Sequence, residues 1–399
     1  MAAKLTSSYL PELSSVIFGR KGPAMVTVNL TNRCDQRCIY CEIGQGIELP
    51  KKDVLSVADL KWILDEMLLN RIPKISLCGG EPFLFKGITD VVSYAASKNI
   101  RTSITTNGMT VHQLPRHELL TLKNCQTEIN VSIDSFDEEI QSLTRGTTSA
   151  LTNALKSIAL LNEFQIPVTV LCAVSKYNYK DLSDFVKKAC ELKIKQILFQ
   201  PLIFTTNYPG QPPVDQKKQL NVPVEHFSEF ETELNKILRF ERNHPIKTNV
   251  YRILPWIKHY IASASGNNET MFFHNVLGKF YCREIDAIID ISFDGGIQPC
   301  GLAQAKVNVF ENRQSGLIAL WKSATSDLKE QLNKEKFPPI CNSCCHHFSR
   351  NMIASVMRHP WKNKKALITM VPLFGARFFH NFKKKIIVKQ YENNSGYRR

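Results

Sequence analysis

The segment Thr31-Asn32-Arg33-Cys34-Asp35-Gln36-Arg37-Cys38-Ile39-Tyr40-Cys41 places three cysteines in the pattern C-x3-C-x2-C. Three thiolates this close can converge on one metal centre, and an odd set of three leaves a coordination position open. A structural zinc site is normally closed by four ligands, so the open position points to a reactive centre. The residues just before it, Met25–Leu30, are a β-branched run that reads as a strand. The cysteines therefore stand at a strand's C-terminal end.

Working outward, the same strand-then-helix pattern repeats. Ser56 to Asp59 reads as a capping box, followed by Leu60, Ile63, Leu64, Met67 and Leu68 at helical spacing. Lys74–Cys78 reads as a buried strand ending in Gly79-Gly80-Glu81-Pro82. A helix is expected over about 87–98 and a strand over 101–106 that ends in Thr105-Thr106-Asn107-Gly108. Glu128–Ile133 is the next strand, leading to Asp134, and 148–164 is an amphipathic helix. Pro167–Val174 is a strand that leads through Asn178, read as a helix cap, into Leu182, Phe185, Val186 and Ala189. A last strand is expected near 195–201. Six such units make a parallel α/β barrel or part of one, with polar residues at the strands' C-terminal ends where such sheets bind ligands.

Composition sets the limits. The chain has 399 residues, 43% hydrophobic and 22% charged, as expected of a globular enzyme. It has no run of about eighteen apolar residues, which excludes a spanning helix, and its start lacks the apolar run of a secretory signal. A cytoplasmic location is expected, and the 12 cysteines then read as metal ligands or buried thiols rather than disulfides. Cys78, Cys125, Cys172 and Cys190 sit in apolar patterns and read as core thiols.

C-x3-C-x2-C with Tyr40 before the third cysteine, then Gly79-Gly80-Glu81-Pro82 at the second strand's end, resembles the radical S-adenosylmethionine (SAM) superfamily. The resemblance covers about residues 25–205. It implies that Cys34, Cys38 and Cys41 hold a four-iron four-sulfur cluster whose open iron is closed by SAM. One electron then cleaves SAM to methionine and a 5′-deoxyadenosyl radical, which abstracts hydrogen from substrate. It further implies that Gly79, Gly80 and Glu81, with Pro82, receive the methionyl amino group. Ser132 and Arg145 fall where the SAM carboxylate is expected, Asp134 and Asn107 where ribose or nearby polar groups are held, and Ala173–Ser175 where the adenine lies. The electron donor is expected to be a flavodoxin or ferredoxin.

Cysteines resume in the C-terminal third. Cys282 and Cys300 flank Ile285–Phe293 and an Asp294-Gly295 turn signal, which reads as a hairpin with a cysteine outside each strand. Cys341 and Cys344 follow at C-x2-C spacing. This pattern resembles the twitch domain, the short form of the SPASM domain, which implies one auxiliary four-iron four-sulfur cluster on Cys282, Cys300, Cys341 and Cys344. Zinc suits the same four thiolates, and Cys345 can replace Cys344. A closed auxiliary cluster favours net oxidation of substrate, with that cluster accepting an electron.

Residues 351–399 carry eleven Lys or Arg and one acid, +10 of the chain's +15. Interleaved with Leu367, Phe374, Phe378 and Ile386, they read as a basic amphipathic tail for an anionic membrane surface, with packing on the body or a partner as the alternative. Nucleic acid is disfavoured, because phosphate tracking needs no such apolar content.

The expected architecture is α/β. An N-terminal extension (1–24) precedes a partial (β/α)6 TIM-like barrel (25–205). A bridging region (206–270), a small cysteine-rich twitch/SPASM-like α+β domain (271–349) and the tail (350–399) follow. Only about 24 residues precede the first strand, where peptide-modifying relatives usually carry a leader-binding domain. A small-molecule or lipid-linked substrate is therefore expected. A peptide maturase is the enzyme alternative, and a non-catalytic iron–sulfur or zinc scaffold is the alternative of another class.

Overall fold

The computed structural model describes residues 22–41, 43–44, 54–202, 219–254, 257, 261, 277–301, 303–334, 341, 348–359 and 361–364. The chain divides into two compact units: Gly22–Phe272 with Glu284–Ser349, and Met1–Lys21 with Phe273–Arg283 and Arg350–Arg399.

In the first unit, β1 (Met25–Asn29), β2 (Lys74–Cys78), β3 (Arg101–Thr106), β4 (Glu128–Ser132), β5 (Val168–Val174) and β6 (Gln196–Pro201) lie side by side in chain order, all parallel. Their side chains alternate. Val26, Val28, Ile75, Leu77, Ile104, Ile129, Val131, Val170 and Ile197 form one aliphatic face, each 0% exposed. Each contributes about 1.5–3 kcal/mol by leaving water. The opposite face is polar: register sets Thr27 beside Ser76, Asn29 beside Cys78, and Thr105 beside Asn130. A parallel strand covered on both faces reads as a continuous apolar run. Alternation here marks a sheet with one helix-packed face and a polar inner wall, which is how a barrel is lined.

The helices are α1 (Val57–Leu69), α2 (Ile88–Ser97), α3 (Arg116–Asn124), α4 (Glu138–Arg145), α5 (Ala150–Glu163), α6 (Leu182–Glu191) and α7 (Phe227–Phe240). Among them, α1 packs on α2, α2 on α3 and α6 on α7. The capping box at α1 forms as expected, with Asp59 N–H donating to Ser56 Oγ and Ser56 N–H to Asp59 Oδ2. Asn178 does not cap α6; that position is Asp181. The Asn178 amide instead donates to the carbonyls of Asp134 and Ala173, and its Oδ1 accepts from Ser175 N–H, so it clamps the ends of β4 and β5 together. Beyond β6, α7 leads to a seventh parallel strand, β7 (Lys247–Thr248). Most of the loop expected over 204–224 lies outside the described residues.

The expected C-terminal hairpin is present with shifted bounds. Its first part is a helical turn, α8 (Glu284–Ala287), followed by β8 (Ile288–Ile291) and antiparallel β9 (Gly296–Gln298) and β10 (Val307–Asn308). The other edge of β8 pairs parallel with β1, placing Asp290 beside Thr27. The C-terminal segment therefore extends the barrel sheet past its first strand. A helix, α9 (Leu317–Asn333), covers it: Trp321 Nε1 donates to Ile288 O, Leu317 N–H to Glu66 on α1, and Arg313 pairs with Asp59.

In the second unit, one face of α10 (Phe348–Arg358) and the turn after it present Asn351, Ser355 and Asn363 to the alternating residues Arg283, Tyr281 and Lys279. Each of those three residues donates its backbone N–H to one of these side chains at 2.8 Å, so the segment that carries Cys282 is held like a strand edge. Residues 365–399, most of the expected tail, lie outside the described residues. Among the described residues no helix is long and apolar enough to cross a membrane.

Candidate functional site

The cysteine loop leaves β1 and lies first along the end of β2. Leu30 N–H donates to Cys78 O, Gly80 N–H to Thr31 O at 2.7 Å and Glu81 N–H to Arg33 O at 2.7 Å. It then docks on the end of α4, where Arg37 N–H donates to Arg145 O and Ile39 N–H to Thr144 O. Both surfaces need glycine. A Cβ on Gly80 would stand 2.0 Å from Arg33 O. Gly146 caps α4 at φ +63, and a Cβ there would stand 2.2 Å from Arg37 O. Gly79 and Gly80 thus admit the cysteine loop's own backbone. Gly146 was not singled out from sequence, although glycine directly after a helix ending in Arg145 is a C-cap signal.

The three thiols act electrostatically on one another. Burial pushes the Cys34 thiol up to about 11 and the Cys38 thiol up to about 12, the latter opposed by the nearby Arg145 guanidinium. Both are protonated at neutral pH in the metal-free chain, so loading a metal centre must displace their protons.

Two buried networks hold the loop from below. Glu81 is 0% exposed and accepts from Asn107 N–H at 2.7 Å, Thr106 Oγ1 at 2.8 Å and Phe83 N–H at 3.0 Å. Burial still pushes its carboxyl up to about 7. It also N-caps the short turn Pro82–Leu84. Asn107 Nδ2 donates to Asp35 Oδ1 and stands 3.7 Å from Cys34 Sγ, which ties the end of β3 to the first cysteine.

The second network centres on Asp134, whose side chain is 0% exposed. Its carboxylate accepts from Arg145 at 2.6 Å, from Ala173 N–H at 2.9 Å and from the Tyr40 hydroxyl. Burial opposes the charge on Arg145, but Asp134, Tyr40 and Cys38 outweigh it and keep the guanidinium protonated. Gln141 Oε1 accepts from Asp134 and Ser135 N–H groups. Ser132, two residues earlier, ends β4 on the polar wall. Beside this network a cleft of about 420 Å³ is lined by Asp134, Phe136, Asn178 and Phe185 among others.

On the same wall, Asp290 of β8 lies beside Thr27 in register and close to Gly301, and it acts electrostatically on Cys78. Burial, then the charge of Glu284, pushes its carboxyl up to about 7. A carboxyl whose pKa rises on folding leaves stability intact below its unfolded value near 4 and withdraws it as pH climbs through 7. The shift corresponds to roughly 3–5 kcal/mol. Asp290→Asn should therefore flatten the loss of urea stability between about pH 4 and pH 7 in the metal-free chain, with Glu81 leaving a residual slope. An unchanged profile would show that Asp290 does not titrate in that range.

Of the C-terminal cysteines, Cys300 and Cys341 belong to the first unit. Burial, with Cys300 nearby, pushes the Cys341 thiol up to about 12. Cys282 belongs to the second unit, and Cys344 and Cys345 lie outside the described residues. Among the described residues, no three His, Cys, Asp or Glu side chains gather as a single-ion site.

Residues 28–189 match the Radical SAM superfamily. The chain carries a radical SAM domain. Over 187 residues it is 27% identical to Fe-coproporphyrin III synthase of Methanosarcina barkeri, covering 47% of this chain and 46% of that protein. Over 173 residues it is 26% identical to the subtilosin biosynthesis protein AlbA of Bacillus subtilis, covering 43% of this chain and 38% of AlbA. The matches thus span less than half the length of these curated relatives. In fold, the chain is similar to SuiB of Streptococcus suis bound to precursor peptide SuiA: TM-score 0.59, 17% identity, covering 88% of this chain and 76% of SuiB. The radical SAM family implies a four-iron four-sulfur cluster and SAM, and the donor set fits. Three thiols, Cys38 buried and Cys34 and Cys41 half-buried, share one loop, which rests on two glycine surfaces at the C-terminal end of a parallel sheet.

Proposed function

We propose that the chain is a radical SAM enzyme in which Cys34, Cys38 and Cys41 hold the cluster and which takes hydrogen from a polar small molecule or the polar head of a lipid-linked substrate. When bound, the cluster and SAM would supply a 5′-deoxyadenosyl radical, and a second cluster on C-terminal cysteines would take up an electron. The observation that carries this reading is the docking of the cysteine loop's backbone on Gly80 and Gly146, at the ends of β2 and α4.

Within that frame, the Gly79-Gly80-Glu81-Pro82 turn and Asn107 border the SAM amino group and ribose, and Ser132 and Arg145 meet its carboxylate. Asp134 is a positioning residue, since its carboxylate is taken up by Arg145, Tyr40 and Ala173 N–H. The wall formed by Thr27, Asn29, Ser76, Thr105, Asn130 and Asp290 suits hydroxyl or amine groups on the substrate better than an alkyl chain. A peptide substrate is the second reading, favoured by the likeness to AlbA and to a fold solved with a precursor peptide.

Protein loaded anaerobically and given SAM with reduced flavodoxin or ferredoxin should release 5′-deoxyadenosine, and Cys38→Ala should release none. Roughly eight irons per chain are expected for two clusters and roughly four for one. Zinc without sulfide, or intact SAM in the wild-type reaction, would leave a non-catalytic scaffold as the better account.

A further inference from the structure

Gln36 lies in the loop between Cys34 and Cys38 and is 1% exposed. Its Oε1 stands 3.7 Å from Cys38 Sγ, in place to accept from the thiol. Its Nε2 is buried without a partner. Buried amide donors are nearly always paired, so an orphan of this kind calls for an explanation. A second one lies in the same neighbourhood: Nε of Arg145, whose guanidinium acts electrostatically on the Cys38 sulfur, also has no partner. Both orphans are donors, so the partner each lacks is an acceptor, and the Gln36 side chain stands beside the Cys38 sulfur.

We infer that the Gln36 side-chain amide is a hydrogen-bond donor to Cys38 Sγ in the metal-bound protein. This rests on the proposed reading that Cys38 is a cluster ligand. A metal-bound sulfur is a thiolate, which has no proton to give and repels an amide oxygen. A half-turn about the terminal torsion of Gln36 exchanges its two ends, because that torsion is two-fold and soft. The exchange presents N–H where oxygen stood, removes the repulsion and satisfies the orphan. No bond is made or broken, and the loop backbone need not move. Donors to cluster sulfurs favour the more negative, reduced state, so Gln36 raises the cluster's midpoint potential. The residue thereby sets how strong a reductant the site requires.

The test uses the full chain, loaded anaerobically and titrated potentiometrically without SAM, with the reduced signal followed by electron paramagnetic resonance. Gln36→Met keeps the volume and removes the donor. It should bind iron and sulfide at the wild-type ratio and titrate at a more negative midpoint. Wild type labelled with 15N in the glutamine side chains should show a nitrogen coupling to the reduced cluster that Gln36→Met lacks. That measurement on wild type decides the matter even if the variant fails to load. An unchanged midpoint in a fully loaded variant, or no amide nitrogen coupling in wild type, would overturn the inference while leaving the enzyme reading in place. A wild-type chain that binds no iron and sulfide would overturn both.

Discussion

Arg145→Met is expected to cost the metal-free chain about 3–5 kcal/mol, because it strands a buried carboxylate. Asp134 is 0% exposed and Arg145 9%, and their contact is 2.6 Å. Tyr40 and Ala173 N–H would remain as donors to Asp134, but neither carries a charge to balance it. Urea unfolding at neutral pH measures the loss. The double variant Asp134→Leu with Arg145→Met should recover part of it, since the stranded charge is gone although Tyr40 and Ala173 N–H lose their acceptor. A single variant that loses less than about 1 kcal/mol would place the pair in the range of exposed ion pairs and remove its claim to hold the loop. Tyr40 gives the experiment a second readout. Its hydroxyl donates to the same carboxylate from the cysteine loop, so disorder at Asp134 should reach the ligands and lower iron uptake.

Gly80→Ala is expected to abolish cluster loading at the first site. The added carbon would meet Arg33 O at 2.0 Å, a backbone atom that cannot rotate away as a side chain would. Relief requires the loop to lift from β2, which breaks the Glu81 N–H bond to Arg33 O and moves Cys34 one residue further on. Overpacking of this kind costs about 1–3 kcal/mol in folding, but the larger effect is on the position of the ligand. Iron and sulfide per chain are the measure. Gly22→Ala is the control: Gly22 has φ +120 with nothing within 4 Å of a Cβ, so it adds a backbone strain that Gly80→Ala lacks and no collision. Equal loading in Gly80→Ala and Gly22→Ala would mean that the loop does not depend on this contact.

Both predictions concern residues whose importance reads differently in the fold and in the sequence. Gly80 was legible because it lies in a recognisable turn at a strand end, yet in the structure its space is filled by the protein's own loop. Asp134 was legible as a polar residue at the end of β4, whereas its fully enclosed carboxylate was not. Helix α4 escaped altogether. Its buried residues are Gln141, Thr144 and Arg145, so it has no apolar periodicity by which it could be found. A helix that packs against a polar site hides from any method that looks for a hydrophobic stripe, and Gly146 was hidden with it. Asn178 looked like a helix cap because Asn commonly caps. Its amide bonds two strand ends instead, a pairing of residues 44 positions apart for Asp134 O.

The amino-acid order alone determined the six parallel strands and four of the helices that connect them, the three-thiol loop after the first strand and the glycine turn after the second. These rest on neighbours within a few residues, where alternation, caps and ligand spacing act. Only the tertiary structure decided that β8 joins β1, which sets Asp290 on the same wall as Thr27, and that Gly80 and Gly146 grip the cysteine loop from two sides. Those outcomes depend on hydrogen bonds and close approaches between segments far apart in the chain, and no local pattern of residues encodes how near two backbones will come.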